Sequence, residues 1–96
     1  MLTVIWTDLA IKDISANINY LENIWSEKEV IKFNKKVYEV LDKLSKRSIE
    51  FKPTDYKEVF QAVILKQITL FYKVDENNLI LLRFWNNYQN PNSLIF

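Results

Sequence analysis

The stretch QITLFYKVDENNLILLRFWNNYQN, residues 67 to 90, decides the fold. Two strand-like runs, Gln67 to Asp75 and Leu79 to Asn86, flank Asp75-Glu76-Asn77-Asn78 and read as a β-hairpin ending in a polar, aromatic tip. Strand side chains alternate, so Ile68, Leu70, Tyr72 and Val74 share one face with Ile80, Leu82 and Phe84 across the turn, a face suited to a core. The opposite face then carries Phe71, Lys73, Leu81, Arg83 and Trp85, setting one arginine among aromatics, an arrangement suited to a partner or a phosphate.

Working back toward the N-terminus, Leu2, Val4 and Trp6 alternate with Thr3 and Ile5 as a short first strand, and Thr7-Asp8 offers a helix N-cap. Ile11, Ile14, Ile18, Leu21 and Trp25 recur at spacings of three and four, which predicts an amphipathic helix. Ser26-Glu27-Lys28-Glu29 has the form of a capping box, starting a second helix with Val30, Phe33, Val37, Val40, Leu41 and Leu44 as its apolar stripe and Ser45 to Ser48 as its end. From Ile49 the period changes. Ile49 and Phe51 alternate before Pro53, and Val59 to Leu65 forms a further apolar run before the hairpin. Short polar turns between successive strands favour antiparallel pairing. The expected architecture is α+β: an N-terminal strand, a two-helix hairpin, then a mainly antiparallel sheet of three to four strands with the helices on one face. Residues 92–96 form a tail with three apolar residues that could dock, pair with a partner or fray.

Ninety-six residues are read as a single domain, 1–96, and a chain 49% apolar and 26% charged has globular composition. No apolar run approaches the ~20 residues of a membrane span, and no secretory leader pattern opens the chain, so a cytoplasmic protein without a membrane partner is expected. Without cysteine, disulfides, thiolate metal sites and thiol nucleophiles are excluded. Without histidine, the usual general base and the commonest metal ligand are absent, and no cofactor or metal is expected. Glycine is absent too, so Asn77-Asn78 and Asn86-Asn87 are the expected positions of left-handed backbone. A net charge of +1 gives no global attraction to nucleic acid. The second helix carries Lys28, Lys32, Lys35, Lys36, Lys43, Lys46 and Arg47, but Glu39 and Asp42 each precede a lysine by four residues, the pattern of a solvated helix.

Val4-Ile5-Trp6-Thr7 with its following helix, Tyr20-Leu21 before Trp25-Ser26, Leu70-Phe71-Tyr72-Lys73-Val74, Ile80-Leu81-Leu82-Arg83-Phe84-Trp85 and Gln89-Asn90-Pro91, in this order, resemble the RelE/ParE toxin superfamily of type II toxin–antitoxin systems, a group that includes plasmid stabilisation proteins. The resemblance implies a growth-inhibiting toxin neutralised by a small antitoxin. It implies one of two acts: ribosome-dependent cleavage of mRNA, or poisoning of DNA gyrase as in the ParE branch. A third reading is a decayed interaction domain that only binds its antitoxin.

If the chain is a nuclease, the 2′-hydroxyl of RNA attacks the adjacent phosphate, and a base, a charge neutraliser and an acid are needed. Arg83 suits the phosphate by its forked guanidinium, Lys66 and Lys73 could add charge, and Tyr88 could serve as acid or stacking platform. For Lys66 and Lys73 the plainer alternative is a solvated surface position, and for Arg83 an ion pair. Many relatives carry a His-Gly-Arg-like run where this chain has Asn86-Asn87-Tyr88, so imidazole catalysis is removed, while Asn87 could replace the glycine conformationally. Phe71, Trp85, Arg83 and Tyr88 form the candidate partner surface, with an acidic antitoxin residue expected opposite Arg83.

Overall fold

The computed structural model describes residues 1–24 and 26–96. Strand β1 (Thr3–Trp6) leads into helix α1 (Asp8–Ile24) and helix α2 (Glu27–Ser45), followed by β2 (Lys52–Pro53), β3 (Phe60–Leu65), β4 (Ile68–Asp75) and β5 (Asn78–Asn86). The five strands form one sheet in the order β1-β5-β4-β3-β2, so the sheet is a strand or two wider than the sequence suggested. Strands β2 to β5 are an antiparallel meander, and β1 closes the far side parallel to β5. No helix among the described residues is long and apolar enough to cross a membrane.

The helices form where the apolar periodicity places them. Thr7 caps α1, its hydroxyl accepting from the Ala10 N–H at 3.2 Å. At α2, Ser26 occupies the cap position, but its hydroxyl makes no cap hydrogen bond; its carbonyl takes the Glu29 N–H at 3.0 Å instead. The α2 stripe lies where expected, with Phe33, Val37, Val40, Leu41 and Leu44 buried against the sheet. The α1 stripe is rotated from the expected one. Ile11 is half exposed, Ile14 and Ile18 are partly buried, and Ala10, Asn17 and Leu21 face inward; Trp25 lies outside the described residues.

The main correction concerns β5. Phe71 pairs with Arg83 but Tyr72 pairs with Leu81, so Leu82 is an extra residue, a β-bulge. One inserted residue exchanges the faces of everything on its N-terminal side. Leu79 and Leu81 therefore join Phe84 in the core, whereas Ile80 and Leu82, expected there, do not. Leu82 packs on the outer face beside Val59, Phe71 and Trp85. Left-handed backbone is also displaced: among the described residues positive φ falls at Arg47, Glu58 and Glu76, not at the asparagines. Glu76 opens the two-residue β4–β5 turn, where primed hairpin turns demand positive φ at the first position.

Tyr72 is fully buried, stacked near Phe60 and edge-on to Phe51, and its hydroxyl has no hydrogen-bond partner among the described residues. Burial pushes its pKa up to about 12. The neutral phenol is the form the fold accepts, so this contribution is intact below about pH 10 and is lost as pH rises through 12. Chemical denaturation across pH 9 to 12 should show stability falling by up to roughly 1.4 kcal/mol per pH unit from this group. Tyr72→Phe should flatten that fall and leave stability at pH 7 equal or higher, since an unpaired buried hydroxyl is removed.

Candidate functional site

Strand β1 covers β5 only from Asn78 to Leu81, yet β5 runs on to Asn86. Side chains around the start of α1 serve the remaining edge. The Thr7 hydroxyl donates to the Leu81 carbonyl at 2.7 Å, the Asp13 carboxylate accepts from the Phe84 N–H at 3.0 Å, and the Asn17 amide donates to the Phe84 carbonyl at 2.9 Å. Asp13 and Asn17, four residues apart, thus lie on one helix face directed at β5. This requirement turns α1 and leaves Ile11 outside.

Asp13 also holds Arg83. The guanidinium Nε donates at 2.7 Å and Nη2 at 2.9 Å to the two carboxylate oxygens, a bidentate pair with side-chain exposures of 11% and 15%. The third nitrogen, Nη1, donates to the Ile95 carbonyl at 2.8 Å, and the guanidinium lies 5.2 Å from the Trp85 ring centroid. The hydrogen bonds that Arg83 donates to Asp13, more than the charge of that carboxylate, raise the Arg83 pKa further against the lowering effect of burial. Every nitrogen of Arg83 therefore has a partner within the chain. The acidic residue that the sequence assigned to a partner is supplied by α1.

The C-terminal tail docks. After a 3-10 turn at Pro91–Ser93, Leu94 packs on the Val59, Phe71 and Trp85 cluster, and Phe96 meets Phe71 and Tyr56 edge-on at centroid distances of 5.6 and 5.0 Å. Phe71 and Trp85 are consequently buried, at 8% and 6% exposure. The sequence left the fate of the tail open, and nothing in a strand pattern showed that its own end would fill this face.

The remaining expected site residues are dispersed. Lys66 is exposed in the β3–β4 turn, whereas Lys73 is partly buried near the other end of β4, beside Glu58 and Asp75. Seven residues of nearly extended chain separate the two lysines by roughly 20 Å. Tyr88 is 68% exposed. It lies at the lip of a cleft of about 290 Å³ with Asp13, Asn17, Tyr20, Asn86 and Gln89. Asn87 does not supply a left-handed turn; its amide exchanges hydrogen bonds with the Thr69 hydroxyl at 3.0 and 3.2 Å and ties β5 to the start of β4. Among the described residues no group of three or more carboxylates gathers to hold a metal ion. Asp13 and Asn17 are the residues the sequence reading missed, while docking of the tail was one of the three fates it left open. The available signal was a pair of polar side chains at i and i+4 beside an apolar stripe.

The profile of the family described as "ParE toxin of type II toxin-antitoxin system, parDE" matches residues 4–91. No curated protein sequence matches the chain. Among solved structures, a chain of the chromosomal ParDE system from P. aeruginosa superposes with a TM-score of 0.74 at 16% identity, covering 90% of this chain and 96% of that one. The YoeB dimer from Staphylococcus aureus gives 0.63 at 19% identity, with coverages of 91% and 98%. The E. coli DinJ-YafQ complex gives 0.60 at 12%, with 90% and 93%. At these identities the likeness is one of fold.

Removing Asp13 would strand a buried guanidinium, so Asp13→Ala should cost about 3 kcal/mol in equilibrium unfolding. Asp13→Asn, which keeps an acceptor but not the charge, should cost less. Truncation after Ser93 should red-shift the emission of Trp85, measured in a variant with Trp6 and Trp25 replaced by phenylalanine, and should leave the chain folded by circular dichroism.

Proposed function

This chain belongs to the ParE toxin family of type II toxin–antitoxin systems, and on that premise we propose that it stops growth by binding a protein target, DNA gyrase, rather than by cutting mRNA. The observation that carries this reading is the engagement of Arg83 on all three nitrogens by Asp13 and Ile95. A phosphate-neutralising arginine needs its fork free to meet a developing dianion, and here a carboxylate already occupies it. The separation of Lys66 from Lys73 and the absence of histidine from the sequence add to this, because the proton-transfer and charge-neutralising roles then lack groups that converge on one phosphate. Protein recognition asks for less: apolar and aromatic surface with a polar rim suffices. The exposed Tyr88, flanked by Gln89 and Asn90, is our candidate for contact with the target.

The neutralising partner is an antitoxin, as the family name and the paired systems of the structural neighbours suggest. Its binding is assigned to the toxin's exposed surface and not to Arg83. Gyrase and translating ribosomes are both cytoplasmic, so this reading places the working toxin in the cytoplasm.

Controlled expression in bacteria, with growth, chromosomal breaks and mRNA ends followed together, separates the readings. DNA breaks without ribosome-dependent mRNA cuts are expected, and Tyr88→Ala, which removes the proposed contact with the target, should reduce them. Ribosome-dependent mRNA cuts that disappear in Tyr88→Phe while the protein remains folded would replace this proposal with the endonuclease. Unimpaired growth at confirmed expression would leave a domain that only binds its antitoxin.

A further inference from the structure

Charge is divided unevenly between α2 and the rest of the chain. Residues 27–47 hold seven of the thirteen basic residues and four of the twelve acidic ones, a net charge of +3, so the remainder nets −2. Two of those four carboxylates, Glu27 and Glu29, stand in the first turn, where a helix N-terminus favours negative charge. At about 100° per residue, Lys28, Lys32, Lys35, Lys36 and Lys43 fall within roughly 100° of arc, opposite the buried stripe that begins at Phe33. Glu39 is the one carboxylate inside that arc.

A solvated helix offers its lysines carboxylates one turn away, and here such a pair closes once. Lys46 meets Asp42 at 3.1 Å, and the other ion pair among the described residues is Arg83 with Asp13, so the five lysines of the arc enter none. Lys28, Lys32, Lys35 and Lys43 are exposed and Lys36 is partly buried. Lys32 has a lysine four residues away on either side, Lys28 and Lys36, and like charges at that spacing work against the helix. The chain thus carries a self-repelling row that an external polyanion would relieve.

We infer that this face of α2 binds the phosphate backbone of duplex DNA without reading its sequence. From Lys28 to Lys43 the row is about 22 Å long, enough to run past about six phosphates of one strand. A duplex presents its charges at fixed spacing, as the helix does, whereas a flexible acidic peptide would have to be ordered on binding at an entropic cost. Lysine is a point charge that meets a phosphate without a fixed fork, and the arc holds no Arg, Asn or Gln, the side chains that read base edges. Nor does it hold an aromatic ring on which the bases of a single strand could stack. This contact needs neither Tyr88 nor a particular target, so it stands whether or not the toxin acts on gyrase.

Fluorescence anisotropy of a short labelled duplex, titrated with the purified toxin between about 50 and 200 mM salt, tests it. Five lysines less the opposing Glu39 neutralise about four phosphates, which predicts a logarithmic salt slope of about −3.6 and an affinity about 150-fold lower at the upper end. Lys32→Gln and Lys35→Gln should each reduce the steepness of the slope by about one, whereas Lys57→Gln, exposed but outside α2, should leave it unchanged. Glu39→Gln should tighten binding. All four side chains are exposed, so circular dichroism should show the same fold in each variant. No saturable binding at the lower salt, or a slope that ignores Lys32→Gln and Lys35→Gln, would overturn the inference. Tighter binding of a single-stranded RNA of the same length would overturn the duplex as ligand. None of these outcomes bears on gyrase as the target, which the growth and DNA-break assay decides.

Discussion

A four-residue strand cannot cover the edge of a nine-residue one, and the rest of this structure follows from how the difference is made up. Beyond Leu81, β5 presents backbone groups with no strand beside them, and unpaired groups there would be costly once α1 packs over the edge. Thr7, Asp13 and Asn17 act as substitutes for the missing strand, binding the Leu81 carbonyl and both polar groups of Phe84. Because those bonds require Asp13 and Asn17 to face inward, they set the rotation of α1 about its axis. They also place a carboxylate where Arg83 can wrap around the edge and meet it. The pair and the edge are one unit, since a single Asp13 oxygen accepts from both Arg83 Nε and the Phe84 N–H.

The bulge at Leu82 links this edge to the outer face. It keeps Leu79, Leu81 and Phe84 on the core side although the last two are three residues apart, and it sends Leu82 and Trp85 outward to meet Phe71. That produces an apolar outer cluster, which the C-terminal tail then covers, its Ile95 carbonyl completing the coordination of Arg83. The arginine that stands out in the sequence for chemistry is thus the fastener between α1, β5 and the tail. Two surfaces are left that the chain does not cover itself among the described residues: the Tyr88 tip and the open edge of β1.

Much of this was legible from residue order. The apolar stripe of α2, the hairpin around Glu76-Asn77 and the helix start at Thr7 need only local periodicity and capping chemistry, and they lie where expected. The face assignment of Ile80 and Leu82 failed because a bulge changes parity without leaving a mark in a glycine-free sequence. Of the asparagines expected in left-handed turns, Asn86 and Asn87 use their side chains for hydrogen bonds instead, to the Tyr88 N–H and to Thr69, while Arg47, Glu58 and Glu76 take the positive φ. Arg83 was correctly placed on the side away from Phe84. Its partner, seventy residues earlier in the chain, is a tertiary fact that spacing does not encode.

Nitrogen-15 NMR of the Arg83 Nε–H tests the central claim, that this guanidinium braces the fold and does not serve phosphate chemistry. The account predicts a resolved, slowly exchanging Nε–H signal that is lost in Asp13→Ala and does not move when a single-stranded RNA oligonucleotide is added. A signal that exchanges freely in the wild type, or shifts in a saturable way with the RNA, would contradict it.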